Sequence, residues 1–146
     1  MRKAAFSISV WQYFGSNSQY AWSTYTEFEF RYDDIMNELP YQSHSIDVSL
    51  FDFIKHEPGV MDYAKLKSLV RKYFDLCYAE YVLKENMRPG VNKKVLGIWE
   101  YGIRSNFQRE TFRAGWKMVR GEYPQKDFEG YLSWIDRLLN EGIAEG

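Results

Sequence analysis

Cysteine and histidine are scarce in this chain, and their scarcity removes several kinds of chemistry at once. Cys77 stands alone, so no intramolecular disulfide can form and no multi-cysteine zinc site can be built. A reducing, cytoplasmic compartment is the simplest setting for such a chain. The two histidines, His44 and His56, lack the H-x-x-x-H spacing that sets two metal ligands on one helical face, and His56-Glu57-Pro58-Gly59 reads as a turn. Glycine motifs for phosphate are missing too: Gly97 and Gly102 are isolated, with no G-x-G-x-x-G or Walker sequence around them. No run reaches the roughly 18 uninterrupted apolar residues of a membrane span. Met1-Arg2-Lys3 opens like a signal peptide, but the apolar segment over residues 6–11 is short, broken by Ser7 and Ser9, and has no small-residue cleavage site. Neither sign of charge dominates. The net charge of −1 supplies no bulk attraction to nucleic acid or to an anionic membrane.

What is present is a large supply of rings. The 146 residues suit one domain, 1–146, and 12 Tyr, 10 Phe and 5 Trp favour a core built of aromatic side chains. Charge is uneven along the chain: four Lys/Arg stand against nine Asp/Glu through Asp62, and 15 against 11 from Tyr63 onward. Opposite charges on the two parts attract each other during folding or define two different surfaces.

Periodicity predicts an all-α fold, a bundle of about five to six helices. Leu66, Leu69, Val70, Tyr73, Phe74, Cys77, Tyr81 and Val82 recur at spacings of three and four, which predicts a helix over about residues 62–84. Asp62 serves as its N-cap, Met61 packs on Leu66 as a staple, and Lys67, Arg71, Lys72, Asp75 and Glu80 form its polar face. A second helix starts at Asn92, presents Val95, Leu96, Trp99 and Ile103 to the core, and frays at Gly102. Ser105 with Gln108 has the form of a capping box, opening a third helix that runs to about Val119 and closes at Gly121 and Pro124. A fourth, over about residues 125–140, buries Phe128, Tyr131, Leu132, Ile135, Leu138 and Leu139 and stops before Gly142.

The first third admits two readings. Phe28, Phe30 and Tyr32 alternate with Glu27, Glu29 and Arg31, and Phe6, Ile8 and Val10 alternate with serines, so residues 4–32 have the pattern of a β-hairpin turning at Gly15-Ser16-Asn17-Ser18. Against it, Asn17 or Ser18 caps a long helix in which Phe28, Arg31, Ile35, Met36 and Leu39 keep helical spacing to Pro40. The helix is the favoured reading. Residues 41–60 are mostly connection, with a turn or two of helix over about residues 48–54.

Tyr73-Phe74-Asp75-Leu76-Cys77, Glu80-Tyr81, Ile98-Trp99-Glu100-Tyr101-Gly102-Ile103 and the segment from Phe112 to Trp116 together resemble a pattern in uncharacterised bacterial helical proteins, many with a membrane segment ahead of the helical part. The resemblance covers roughly residues 50–140 and implies a helical fold. No activity, cofactor or site residue comes with it.

Candidate catalytic groups read as structural. Cys77 lies on the apolar face of the best helix, where a free cysteine behaves as a small hydrophobe. Glu27 with Glu29 reads as a solvated face, and Asp33 and Asp34 point in different directions on a helix, poorly placed to share a proton. No catalytic residue, metal ligand or cofactor is assigned. The informative feature is the helix after Ser105. At 100° per residue, Arg109, Arg113, Lys117 and Arg120 fall within about an 80° arc, bordered by Trp116, while Phe107, Thr111, Ala114 and Met118 point the other way. Like charges at i and i+4 cost roughly 0.2–0.5 kcal/mol per pair, so the arc calls for a compensating anion. The acidic N-terminal part (Asp33, Asp34, Glu38), a partner protein or nucleic-acid phosphates can each supply it. The expectation is a non-enzymatic interaction or regulatory domain that holds a protein partner or a second copy through Trp99, Arg109, Arg113, Trp116, Lys117 and Arg120. The alternative is a nucleic-acid-binding module using the same basic stripe.

Overall fold

The computed structural model describes the backbone of residues 19–86 and 89–145, and the side chains of residues 25–86 and 95–145. Six α-helices account for most of these residues: α1 (Gln19–Glu38), α2 (Leu50–His56), α3 (Tyr63–Asn86), α4 (Pro89–Asn106), α5 (Glu110–Val119) and α6 (Gln125–Glu145). Short 3₁₀ turns at Tyr41–His44 and Arg120–Glu122 complete the described chain. No strand occurs among the described residues.

Glu27 to Tyr32 therefore belong to α1, and the hairpin reading is overturned for that part; its first strand and turn lie outside the described residues. The alternation of Phe28, Phe30 and Tyr32 is incidental. Tyr25, Phe28, Tyr32, Ile35 and Met36 form the inward helical stripe, whereas Phe30 is exposed. At α3 the Asp62 carboxylate accepts from the Lys65 amide at 3.1 Å, the bond of an N-cap, and the predicted apolar face is buried from Leu66 to Cys77; Val82 lies outside it.

Three boundaries around α4 and α5 differ from the sequence reading. α4 opens at Pro89 rather than Asn92, because proline has no N–H to lose in a first turn and its fixed φ already suits a helix. The helix continues through Gly102, and Ser105 sits in its last turn rather than capping the next helix. α5 opens at Glu110 after Arg109, which makes no side-chain cap bond. Its first amide is satisfied from a distance: Glu110 N–H donates to Ser45 O at 3.0 Å. The relation is reciprocal, since Thr111 Oγ1 accepts from the Leu50 amide at the start of α2 at 2.8 Å, beside the Ser49 hydroxyl that accepts from the Phe51 amide at 3.0 Å. Two helix starts thus share their unmet donors across the fold.

The core is a continuous aromatic cluster centred on Phe74, which is fully buried. Its ring stands 4.8 Å from Trp116, 5.9 Å from Phe107 and 5.0 Å from Tyr73, centroid to centroid. Tyr131 brings α6 into the cluster, 5.9 Å from Trp116, and its hydroxyl donates to Phe74 O at 2.6 Å. Around this centre α1 lies on α3, α3 on α5, and α4 along α6.

Gly142 sits inside α6 and is buried, so it is not the stop signal the sequence suggests. A β-carbon there would stand 2.6 Å from Arg104 O and 3.0 Å from Phe107 Cβ, so glycine lets α6 lie directly on the end of α4. Because the first of these neighbours is backbone, it cannot rotate away. Gly142→Ala is expected to destabilise the fold by about 1–3 kcal/mol despite alanine's higher helix propensity, a loss read as a lower midpoint in chemical denaturation. Equal or greater stability would show that α4 and α6 separate freely at this point.

Candidate functional site

The basic arc is drawn inward when the chain folds. Arg113, mostly buried, donates through Nε to Glu110 Oε1 at 2.8 Å, through Nη1 to Phe107 O at 2.7 Å and through Nη2 to Ile46 O at 2.6 Å. It clamps the α1–α2 connection onto the start of α5. Arg120 lies in the 3₁₀ turn after α5 and grips Asp136 of α6 with Nη2–Oδ2 at 2.6 Å and Nε–Oδ1 at 3.1 Å. Trp116 is 1% exposed and donates its indole N–H to the same carboxylate at 2.8 Å. Trp99 is 7% exposed and stacks on Phe28 at 5.9 Å. Among the six interaction residues predicted, Lys117 is plainly exposed, Arg109 and Arg120 are partly exposed, and Arg113 less so.

The compensating anions are Glu110 and Asp136 rather than Asp33, Asp34 or Glu38. Glu38 pairs with Lys65 at 3.3 Å. The buried face of α5 is also rotated from the sequence reading. α5 buries Thr111, Phe112, Gly115, Trp116 and Val119, so Trp116 leaves the surface, while Trp99 is buried on α4 with the apolar stripe predicted for that helix.

Asp136 answers two donors. Desolvation alone would raise its pKa, but the hydrogen bonds from Arg120 and Trp116 outweigh it and hold the carboxyl below its ordinary value.

The clamp exposes what it holds. Tyr41 (80% exposed), Ile46 (66%) and Val48 present apolar side chains to solvent on a connection fixed by Arg113, by the Glu110–Ser45 bond and by the Ser45 hydroxyl, which accepts from the Val48 amide at 3.0 Å. Basic groups border it. Burial and the neighbouring Arg109 charge lower the pKa of His44, within the same connection.

A second feature lies on the other side of α3. A cavity of about 170 Å³ opens between α1, α3 and α4. Phe28, Leu76, Trp99 and Ile103 supply apolar walls, while Tyr101, 58% exposed, stands at its edge. A buried amide organises the floor: Asn106 Nδ2 donates to Tyr73 Oη at 2.9 Å, and Tyr32 lies 3.3 Å from the same nitrogen. Glu29 and Asp33 face the cavity from α1, one helical turn apart, whereas Glu27 and Asp34 are exposed. Glu80 faces it from α3. It was assigned to that helix's polar face, yet Tyr73, Leu76, Cys77 and Glu80 follow one another at steps of three, one and three, which places them on one side. Part of the Glu80 residue is accessible, and burial, assisted by the Glu29 charge, still pushes its carboxyl well above the ordinary range.

Cys77 also lines the cavity, but burial and the Glu80 charge push its thiol well up, so it stays protonated and a poor nucleophile. His56 is exposed at the C-terminal end of α2, inside the helix rather than in the turn the sequence suggests. No group of three or more potential metal ligands occurs among the described residues. No family model, curated protein or solved structure matches the chain.

Asp136 gives a pH test of the inner arc. Its folded pKa is depressed, so its contribution is present above the unfolded value of about 3.9 and disappears as pH falls through the lower folded value. Asp136→Asn is expected to be less stable than wild type at neutral pH, with the two curves converging below about pH 4. A gap that persists at pH 2 would assign the loss to packing rather than charge.

Proposed function

We propose that the protein is a non-enzymatic interaction domain that receives a protein partner on the connection between α1 and α2. The observation that carries this reading is the combination of exposure and fixation at Tyr41, Ile46 and Val48. Large apolar side chains on a loop free to rearrange would fold away or pay an entropic cost on binding; here the backbone is already held by Arg113 and by the start of α5. Arg113 thus supports recognition as a positioning residue rather than by touching the partner. Arg109 and Lys117 supply positive charge on the adjoining element, which fits an apolar segment flanked by acidic residues. The nucleic-acid alternative is less well supported, because Arg113 and Arg120 are committed to Glu110 and Asp136 and interrupt the row of cations that phosphates need.

Selection of a displayed peptide library on the whole protein tests the reading. Apolar peptides with acidic flanks should be enriched, their affinity should fall tenfold or more with Ile46→Asp, and it should depend only mildly on salt. Arg113→Ala should also weaken them, through a looser loop that exchanges its Val48 amide faster. The same peptides binding Ile46→Asp as well as wild type would sink the proposal, as would enrichment of none.

A further inference from the structure

We propose that the cavity between α1, α3 and α4 binds a small organic cation bearing one aromatic ring, an arylalkylamine, with Glu80 as the partner of its ammonium group. Arg109 lies between this site and the connection between α1 and α2, but Glu80 and the ring-bearing walls belong to the cavity, and the proposal does not rest on peptide binding at the connection.

Size sets the first limit. An apolar cavity of about 150 Å³ accepts a single benzene, so a cavity of about 170 Å³ has room for one ring and a short substituent. A bicyclic or larger ligand would have to displace the walls or reach out through the opening. Shape sets the second: Phe28, Trp99 and Tyr73 line the cavity with aromatic wall, Phe28 and Trp99 fixed by stacking on each other, so a flat apolar ligand meets rigid rings. Aromatic faces also attract cations.

Charge decides the sign. Around the Tyr25 hydroxyl, burial and the charges of Glu29, Glu80 and Asp33 all act against forming a further anion. Glu29 and Asp33 have interactions of their own, yet their charges still contribute to the field. Glu80 is different, since it makes no hydrogen bond or ion pair among the described residues. Its interactions are with charges at a distance, the repelling Glu29 and the attracting Arg31. A carboxyl group in a cavity wall, partly accessible and without a cationic partner, is less well solvated than one on the surface, which disfavours its charged form. An ammonium group entering beside it removes that cost and lets Glu80 ionise. Arg109 also lines the cavity, after α4, but it is not among the charges that act on Glu80, so a ligand ammonium is drawn to the α3 side.

Proton release follows from the same arrangement. The groups that face Glu80 or act on it are Glu29, Asp33, Tyr25 and Arg31 from α1, Tyr73 and Cys77 from α3, Tyr101 from α4, and Arg109 after it. Of these, burial raises Tyr25, Tyr73 and Cys77, so they keep their protons. Glu80 is the group that gives one up when a cation arrives.

Titration calorimetry of the whole protein with benzylamine tests the proposal, with benzyl alcohol, methylammonium and benzoate as comparison ligands. Benzylamine should bind more tightly than any of the three, and its heat should change with the ionisation enthalpy of the buffer, as proton release requires. Glu80→Gln keeps the shape and removes the charge, so the variant should fold as well as wild type. It should bind benzylamine at least tenfold more weakly, show no proton release and treat benzyl alcohol as wild type does. Trp99→Leu should weaken both ring-bearing ligands. The proposal is overturned if wild type shows no preference for benzylamine over benzyl alcohol, if benzoate binds best, or if Glu80→Gln binds benzylamine unchanged.

Discussion

Burial of Phe74 is the constraint on which the other features of this bundle depend. Its ring is reached by Phe107 before α5 and by Trp116 within it, and through Trp116 by Tyr131 of α6, so one side chain of α3 sets the distance and orientation of both later helices. Truncating such a ring to a methyl group costs about 3–5 kcal/mol in comparable cores. An exposed ion pair is worth about 0–1 kcal/mol. The many surface pairs here, such as Lys67–Glu122 and Lys55–Asp52, therefore adjust a structure that the rings have already determined.

The basic residues of α5 follow from this packing. Once Trp116 turns inward to meet Phe74, its indole N–H needs an acceptor, and Asp136 is brought to it from α6. Arg120 then neutralises Asp136. Arg113, on the outward side, meets the connection from α1 and ties it down through Ile46 O. A row that looks like a ready-made cationic surface in one dimension is divided among three separate tasks in the fold.

Much of the architecture was legible from spacing alone. α3 and α6 carry long apolar stripes, and Asp62 marks the start of α3 with a local hydrogen bond that sequence can reveal. What escaped was held by distant partners. The start of α5 has no local cap because Ser45 satisfies Glu110, and a residue 65 positions away leaves no trace in the neighbouring sequence. Ser105 and Gln108 imitate a cap, yet Ser105 lies in the last turn of α4. Glu80 escaped for a different reason. A charged residue on a helix is assigned to solvent by default, and only the position of α1 and α4 around it turns that side of α3 into a cavity wall.

The contact at Gly142 also governs which part of the bundle can move. α6 rests on the backbone of α4 at Arg104 O without a side chain between them, so sliding one helix along the other would drive neighbouring side chains into a space that fits none. That seam is locked in register. α1 has no such seam: it lies chiefly on α3 and reaches α4 through side chains, the Phe28–Trp99 stack and the Tyr32–Asn106 hydrogen bond. Widening the space beneath the first helix therefore asks only for side-chain contacts to part, whereas parting α4 from α6 asks for backbone to move.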